Sequence, residues 1–243
     1  MKEKILAAYE QMAERYNALI DHKPHNAHYD RPNTLSLFPA HLQGKVILDA
    51  ACGPGKYAGI LMAKGATVTG FDLSPKMIQL ARERNEGRGE FFVHDLTQKA
   101  ERIPSASCDF VLSALALHYI PDWNPAIREF YRVLKPNGKL IISVEHPFFE
   151  YIYFKAKNYF AIENVKGTWK GFGSPVEVHS YRRPLDQCIT PLTNNGFLID
   201  KLLEPLPTEE FEKLDPDHYK ELNQFPAFLC IRAVKSASSM HAE

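Results

Sequence analysis

The chain carries no surplus of charge of either sign: 29 lysines and arginines balance 29 aspartates and glutamates over 243 residues. No long basic run stands out, so the electrostatic footprint of a nucleic-acid-binding protein is missing, and a small, weakly charged partner fits better. Long apolar runs are also lacking. Nothing reaches the roughly 18 consecutive apolar residues of a membrane-spanning helix. Met1-Lys2-Glu3-Lys4 leads into a mixed amphipathic stretch rather than a signal sequence. No membrane partner and a cytoplasmic location are therefore expected. Cysteine is sparse: Cys52, Cys108, Cys188 and Cys230 show no C-x-x-C spacing. Three of them sit in apolar runs, where a thiol behaves as a small core residue, so reduced thiols and no metal site are expected. No internal repeat is visible, and the oligomeric state is left open.

What is present is room for one large α/β domain, expected over residues 1–235, followed by a disordered tail at 236–243. Ile5, Tyr9, Met12, Tyr16, Leu19 and Ile20 recur at helical spacing over Lys2 to Asp21. A polar connection follows, then a second helical pattern from Thr34 to Leu42, which makes residues 1–43 a helical cap. From Val46 to Val144, apolar strand candidates at Val46–Leu48, Thr67–Phe71, Glu90–Val93, Phe110–Ser113 and Lys139–Val144 alternate with helical segments. That alternation is the signature of a parallel sheet wound by right-handed crossovers. Ser74-Pro75 and Asn124-Pro125 each read as an N-cap followed by proline at the first helical position. Aromatic residues crowd residues 146–184 and periodicity is lost there. It returns with a helix at Leu185–Asn195 and strands at Phe197–Leu203 and Ala227–Val234, whose connector has room for a short helix near Asp217–Leu222.

The first strand runs into Asp49-Ala50-Ala51-Cys52-Gly53-Pro54-Gly55. Gly53-x-Gly55-x-x-Ala58 satisfies the dinucleotide fingerprint formally, which keeps a nicotinamide-dependent oxidoreductase as an alternative. However, four residues separate the strand from the first glycine, and a carboxylate at Asp49 repels a pyrophosphate while attracting an ammonium or sulfonium. Asp72 ends the second strand, where a carboxylate accepts from ribose hydroxyls, and Asp95 with Leu96 follows the third, where they suit an adenine. S-adenosylmethionine carries all of these groups. Each acid taken alone is as readily an N-cap or turn residue; the register of three acids with three strand ends favours the ligand.

Val46-Ile47-Leu48-Asp49-Ala50-Ala51-Cys52-Gly53-Pro54-Gly55, Gly70-Phe71-Asp72-Leu73-Ser74, His94-Asp95-Leu96 and Arg132-Val133-Leu134-Lys135-Pro136-Asn137-Gly138 resemble the ordered motifs of class I S-adenosylmethionine-dependent methyltransferases, nearest the ubiquinone/menaquinone-methyltransferase-like (type 11) branch. The resemblance implies a Rossmann-like, seven-stranded, mostly parallel sheet with helices on both faces. Its order would be 3-2-1-4-5-7-6, with the last strand antiparallel. It also implies S-adenosylmethionine as cofactor and a small-molecule methyl acceptor taking the group on O, N or C. Carried over, Gly53 and Gly55 lie under the methionine part, Asp49 near its amino group and Asp72 on the ribose. Leu73 and Met77 pack on the adenosine, and Ala114 lies in the stretch that offers a backbone carbonyl. Tyr16 or Arg31 approaches the carboxylate. Ala51 departs from the usual glycine.

On the acceptor side, His118 and His146 are the candidate general bases. His118 with Tyr119 either reaches the transferred methyl or caps its loop, and His146 either meets substrate or orients the turn into Pro147. Glu145, Phe148, Trp169, Tyr181 and Arg182 are the further acceptor-side candidates. The aromatic stretch reads as a pocket wall before it reads as a satellite core, because so long a loop is usually functional; Arg182 either binds an anion or closes an ion pair. A non-catalytic cofactor-binding module is the remaining alternative, and an open cleft beside Glu145–Tyr181 would favour it.

Overall fold

The computed structural model describes residues 1–236. Helix α1 (Lys2–Leu19) is followed by a π-helical turn at Asn26–Asp30 and by α2 (Arg31–Ser36). Then come β1 (Val46–Ala50), α3 (Lys56–Ala63), β2 (Thr67–Asp72), α4 (Pro75–Arg84), β3 (Glu90–Val93) and β4 (Cys108–Ala114). A single 3-10 turn at Leu117–Tyr119 leads to α5 (Asn124–Val133), β5 (Leu134–Glu145) and α6 (Pro147–Tyr153). The chain continues through β6 (Glu163–Trp169), β7 (Val176–Arg182), α7 (Asp186–Asn194), β8 (Phe197–Leu203), α8 (Glu209–Leu214), α9 (Pro216–Leu222) and β9 (Phe228–Lys235). Apart from Ser236, the tail expected to be disordered lies outside the described residues.

Seven strands form one sheet in the order β3-β2-β1-β4-β5-β9-β8. β1 to β5 pair in parallel, whereas β9 runs antiparallel to both β5 and β8. Counting only the strands of this sheet, that is the order 3-2-1-4-5-7-6 with the last strand reversed. Because its central strands are covered on both faces, they are apolar at successive positions rather than at alternate ones. Leu140, Ile142 and Val144 of β5 join Leu48, Trp123, Ile127 and Phe130 in one core. Ile141 joins Ile47, Val68 and Leu112 in the other. All four cysteines are buried and unpaired within these layers. Among the described residues, no helix is long and apolar enough to cross a membrane.

Local chemistry decides where the helices start. The Ser74 hydroxyl accepts from Met77 N at 3.1 Å with Pro75 behind it, as its sequence implies. The second Asn-Pro differs: Asn124 is the first residue of the helix, the N-cap position falls on Trp123 without a side-chain cap, and Asp122 accepts from Asn124 N at 2.9 Å. The helical pattern read at Thr34–Leu42 is the shorter α2, which ends at Ser36. Leu37, Phe38 and Leu42 still point inward, so apolar spacing there reports burial and not helix.

The larger surprise lies in residues 146–184. Instead of an irregular loop, they form α6 and an antiparallel hairpin in which Glu163 pairs with Arg182 and Trp169 with Val176. Val176, Val178 and Phe172 pack on Ala8 and Met12 of α1. Arg182 is completely buried. Its guanidinium donates to the carbonyls of Tyr159 at 3.1 Å and Asn158 at 2.6 Å and pairs with Glu163 at 2.5 Å, so it ties the hairpin to the preceding turn. We expect Arg182→Met to cost about 2–4 kcal/mol in urea unfolding, because those carbonyls lose their donors; a loss below about 1 kcal/mol would show that the tie is dispensable.

Candidate active site

The carboxyl ends of β1, β2, β4 and β5 open into one cavity of about 910 Å3, roofed by α1 and the hairpin and walled on one side by α6 and residues 218–228. This is the crevice where open parallel sheets bind ligands, and its size suits a small-molecule site.

One end is acidic. Asp49, at the end of β1, is 2% exposed, and its Oδ2 has no hydrogen-bond partner. Burial, then the neighbouring Asp72, pushes its carboxyl up to about 7, while the Ala58 N–H pulls the other way. Asp72 accepts from Gly53 N and Ser74 N, both at 2.9 Å, which anchors the glycine loop to the end of β2. Burial still raises its carboxyl. Asp95 goes the other way: against the cost of burial, the Lys2 ammonium at 2.5 Å and the Thr97 N–H and hydroxyl at 2.9 Å lower it. Arg31, 7% exposed, donates to Ile20 O at 2.8 Å, yet its Nε has no partner. Beside it, Asp30 accepts from Tyr57 OH at 2.6 Å and Thr34 Oγ1 at 3.1 Å.

The loop itself needs a left-handed backbone. Gly53 has φ 52° and Gly55 φ 72°, and a Cβ at Gly55 would come within 2.6 Å of Asn85 Nδ2 and 3.0 Å of Ala81 Cβ. Ala51 takes φ 62° and Leu115 φ 49° despite their side chains. Both line the cavity, where strained backbone of this kind tends to gather.

The other end is aromatic. Tyr9 hydrogen-bonds Tyr119 at 2.7 Å between hydroxyls and packs edge-on against Trp169, while Tyr16 packs on Phe172. His118 lies beside Tyr119 with an unpartnered Nδ1. Burial and the nearby Arg183 guanidinium hold its imidazole down to about 3, so it is neutral across ordinary pH.

The cavity thus gathers Tyr16, Arg31, Asp49, Ala51, Gly53, Asp72, Leu73, Asp95, Leu96, Ala114, His118, Tyr119, Glu145, Trp169 and Tyr181. Five expected residues lie elsewhere. Gly55 shapes the loop from behind. Met77 packs under Tyr9 and Tyr16 with Ala13 and Leu80. His146 is 1% exposed and spent on structure: its Nδ1 accepts from Phe148 N at 3.2 Å, capping α6, and its Nε2 meets Glu204 at 3.0 Å. Phe148 stacks on His146 and Tyr159 with 45% of its surface in solvent. Arg182 holds the hairpin. Conversely, Tyr57 and Phe228 line the cavity without any motif to announce them.

Residues 48–142 match the family model described as a methyltransferase domain. An uncharacterized protein of Haemophilus influenzae is 28% identical over 227 residues, covering 85% of this chain and 87% of that protein. Demethylmenaquinone methyltransferase of Thermus thermophilus is 38% identical over 101 residues, covering 40% of this chain and 46% of the relative. The chain spans about half the length of the curated relatives that carry a named activity. A crystal structure of an S-adenosylmethionine-dependent methyltransferase from Listeria monocytogenes superposes with a TM-score of 0.72 at 27% identity, covering 85% of this chain and 96% of that one. Over residues 48–142 this chain is similar to the methyltransferase domain, and over most of its length to an S-adenosylmethionine-dependent methyltransferase structure. The likeness is to proteins that use S-adenosylmethionine, not a nicotinamide cofactor.

The residues present fit S-adenosylmethionine. Its amino-acid end is a zwitterion, and the cavity holds two buried polar atoms of opposite sign that lack partners, Asp49 Oδ2 and Arg31 Nε. Before the cofactor binds, Asp49 is a liability. Its folded value lies above the unfolded one, so its contribution to stability is complete below about 3.8 and is lost as pH rises through about 7, a span worth roughly 4 kcal/mol. We therefore expect Asp49→Asn to raise the stability of the cofactor-free protein at pH 8 by at least about 1 kcal/mol in chemical denaturation, and to leave it nearly unchanged at pH 4. An equal effect at both pH values would mean that Asp49 does not titrate in this range.

Proposed function

We propose that the acidic end of the cavity holds S-adenosylmethionine and that the aromatic end receives a small-molecule methyl acceptor. The observation that carries this reading is the pair of unpartnered buried atoms, Asp49 Oδ2 and Arg31 Nε, on two residues that line the same cavity. A ligand bearing an ammonium and a carboxylate together offers each of them a partner. Asp72 keeps free acceptor capacity for ribose hydroxyls beyond the two amides it serves, and Asp95 and Leu96 stand at the adenine position. Bound there, the cofactor supplies an electrophilic methyl group on a sulfonium centre. What the chain supplies is positioning and the exclusion of water.

Two features support a small acceptor. The cavity is roofed by α1 and the β6–β7 hairpin, not open as a groove, which also disfavours a non-catalytic module. The net charge of zero gives a nucleic acid no electrostatic hold. Named relatives include demethylmenaquinone methyltransferase, which supports a small acceptor, and malonyl-[acyl-carrier protein] O-methyltransferase, whose name gives an acceptor carried on a protein.

Asp72→Ala is expected to weaken S-adenosylmethionine binding at least about tenfold by calorimetry, the equivalent of about 1.4 kcal/mol; near-unchanged affinity would sink the ribose assignment. Cofactor affinity of the wild type should also fall as pH drops below about 7, because a proton on Asp49 must leave before the ammonium enters, and Asp49→Asn should flatten that dependence. For the acceptor, the protein is incubated with methyl-tritiated S-adenosylmethionine and an extract of its own cells, separated into protein-free small molecules and macromolecules. Label is expected in the first fraction; label confined to the second would refute a small-molecule acceptor.

A further inference from the structure

Glu145 closes β5 and lines the aromatic end of the cavity. Its carboxyl group interacts with that of Glu150 of α6, which is 2% exposed, stands outside the cavity lining and leaves its Oε1 without a hydrogen-bond partner. Two carboxylates in contact out of water cannot both ionise, so the pair carries one proton between them. Burial raises both groups, and for Glu150 the neighbouring Glu145 charge raises it further. The outcome is a single negative charge on the pair, of which Glu145 is the member that lines the cavity wall. Facing the pair are the Tyr119 hydroxyl, bonded to Tyr9, and the guanidinium groups of Arg182 and Arg183, which act on Glu150. Arg182 is committed to Glu163 and two carbonyls, and Arg183 donates to Ile120 O at 2.7 Å.

We propose that Glu145 is the general base that takes the proton of the methyl acceptor, and that Glu150 is a positioning residue that holds Glu145 ready from behind. The proposal rests on the small-molecule reading above and implies an acceptor bearing an O–H, N–H or acidic C–H at the attacking atom. As that atom bonds to the methyl carbon, the carbon–sulfur bond breaks and its electron pair stays on sulfur as a neutral thioether. The acceptor's proton passes to Glu145, leaving two neutral carboxylic acids until solvent removes one proton. His118, the histidine at this end, is held neutral and so low that it takes a proton poorly. Ionisation of Glu145 is required, so transfer rises with pH through its raised value. A donor lost from behind the carboxylate moves that limb to higher pH.

The test uses methyl-tritiated S-adenosylmethionine, the protein-free extract and the full chain, with S-adenosylhomocysteine affinity measured by calorimetry for each variant. Glu145→Gln is expected to lower labelled product about 100-fold or more while product affinity stays within about threefold. Glu150→Leu should move the acid limb of the pH profile upward, and Glu150→Gln, which keeps a donor, should return it. A Glu145→Gln enzyme within about threefold of wild type, or an acid limb that Glu150→Leu leaves in place, overturns the proposal. If Glu145→Gln fails to fold, the Leu and Gln variants at Glu150 decide alone. No labelled small molecule from any variant that still binds S-adenosylhomocysteine removes the small-molecule reading and this proposal together, which a selective loss in Glu145→Gln would not.

Discussion

Carboxylates collected at the carboxyl ends of parallel strands, out of water and short of partners, are the constraint on which this molecule turns. The fold creates the problem: strands apolar on both faces place Asp49 and Asp72 where β1 and β2 leave the core, and α1 then roofs them over. Each acid is treated differently. Asp72 receives two backbone amides and Asp30 two hydroxyls, whereas one oxygen of Asp49 receives nothing. A buried polar group without a partner costs more than a made bond returns. Its persistence here makes sense if a ligand completes it, the familiar conflict between stability and function.

The roof that buries these acids is held by contacts of two kinds. Polar links run along α1: Lys2 to Asp95, Glu10 to Ser74 and Lys76, and Asp21 to Lys56 and Arg84. Pairs exposed to this degree are each worth little. The larger share comes from Ile5, Ala8 and Met12, which are buried, and from the aromatic packing of Tyr9 and Tyr16 on the hairpin. Helix α1 therefore does two things with one face: its small and aliphatic residues seal the cavity while its tyrosines line it. Lys2 is 59% exposed at the helix start, so an adenine reaching Asp95 displaces a solvated ammonium and not a buried one.

The sheet and the acidic end were legible because both obey short-range rules. Buried parallel strands are continuous apolar runs, and the acids that matter stand directly after them. The hairpin was not legible, although β7 alternates Val176, Glu177, Val178 and His179. Farther along, its inward positions are Ser180 and Arg182, and those of β6 include Glu163 and Gly167, so the period-two signal dissolves. An inward charge satisfied by carbonyls far along the chain leaves no local trace. The same holds for Asp30 and Tyr57, which come together across 27 residues through a single hydrogen bond. Motifs also misled where topology and direction part company: Met77 and Gly55 are one layer behind the residues they support.

His146 shows that parting most clearly. It stands immediately after β5, the topological place of a substrate group, but its backbone turns it away from the cavity and into the start of α6. There its ring caps Phe148 N and its carbonyl accepts from Glu150 N at 3.0 Å, closing the first turn of the helix. That turn is what returns Glu150 to the carboxyl of Glu145, the last residue of the strand. A histidine read from sequence as a base thus shapes the turn that brings Glu150 back beside Glu145, and of these three residues it is Glu145 that lines the cavity.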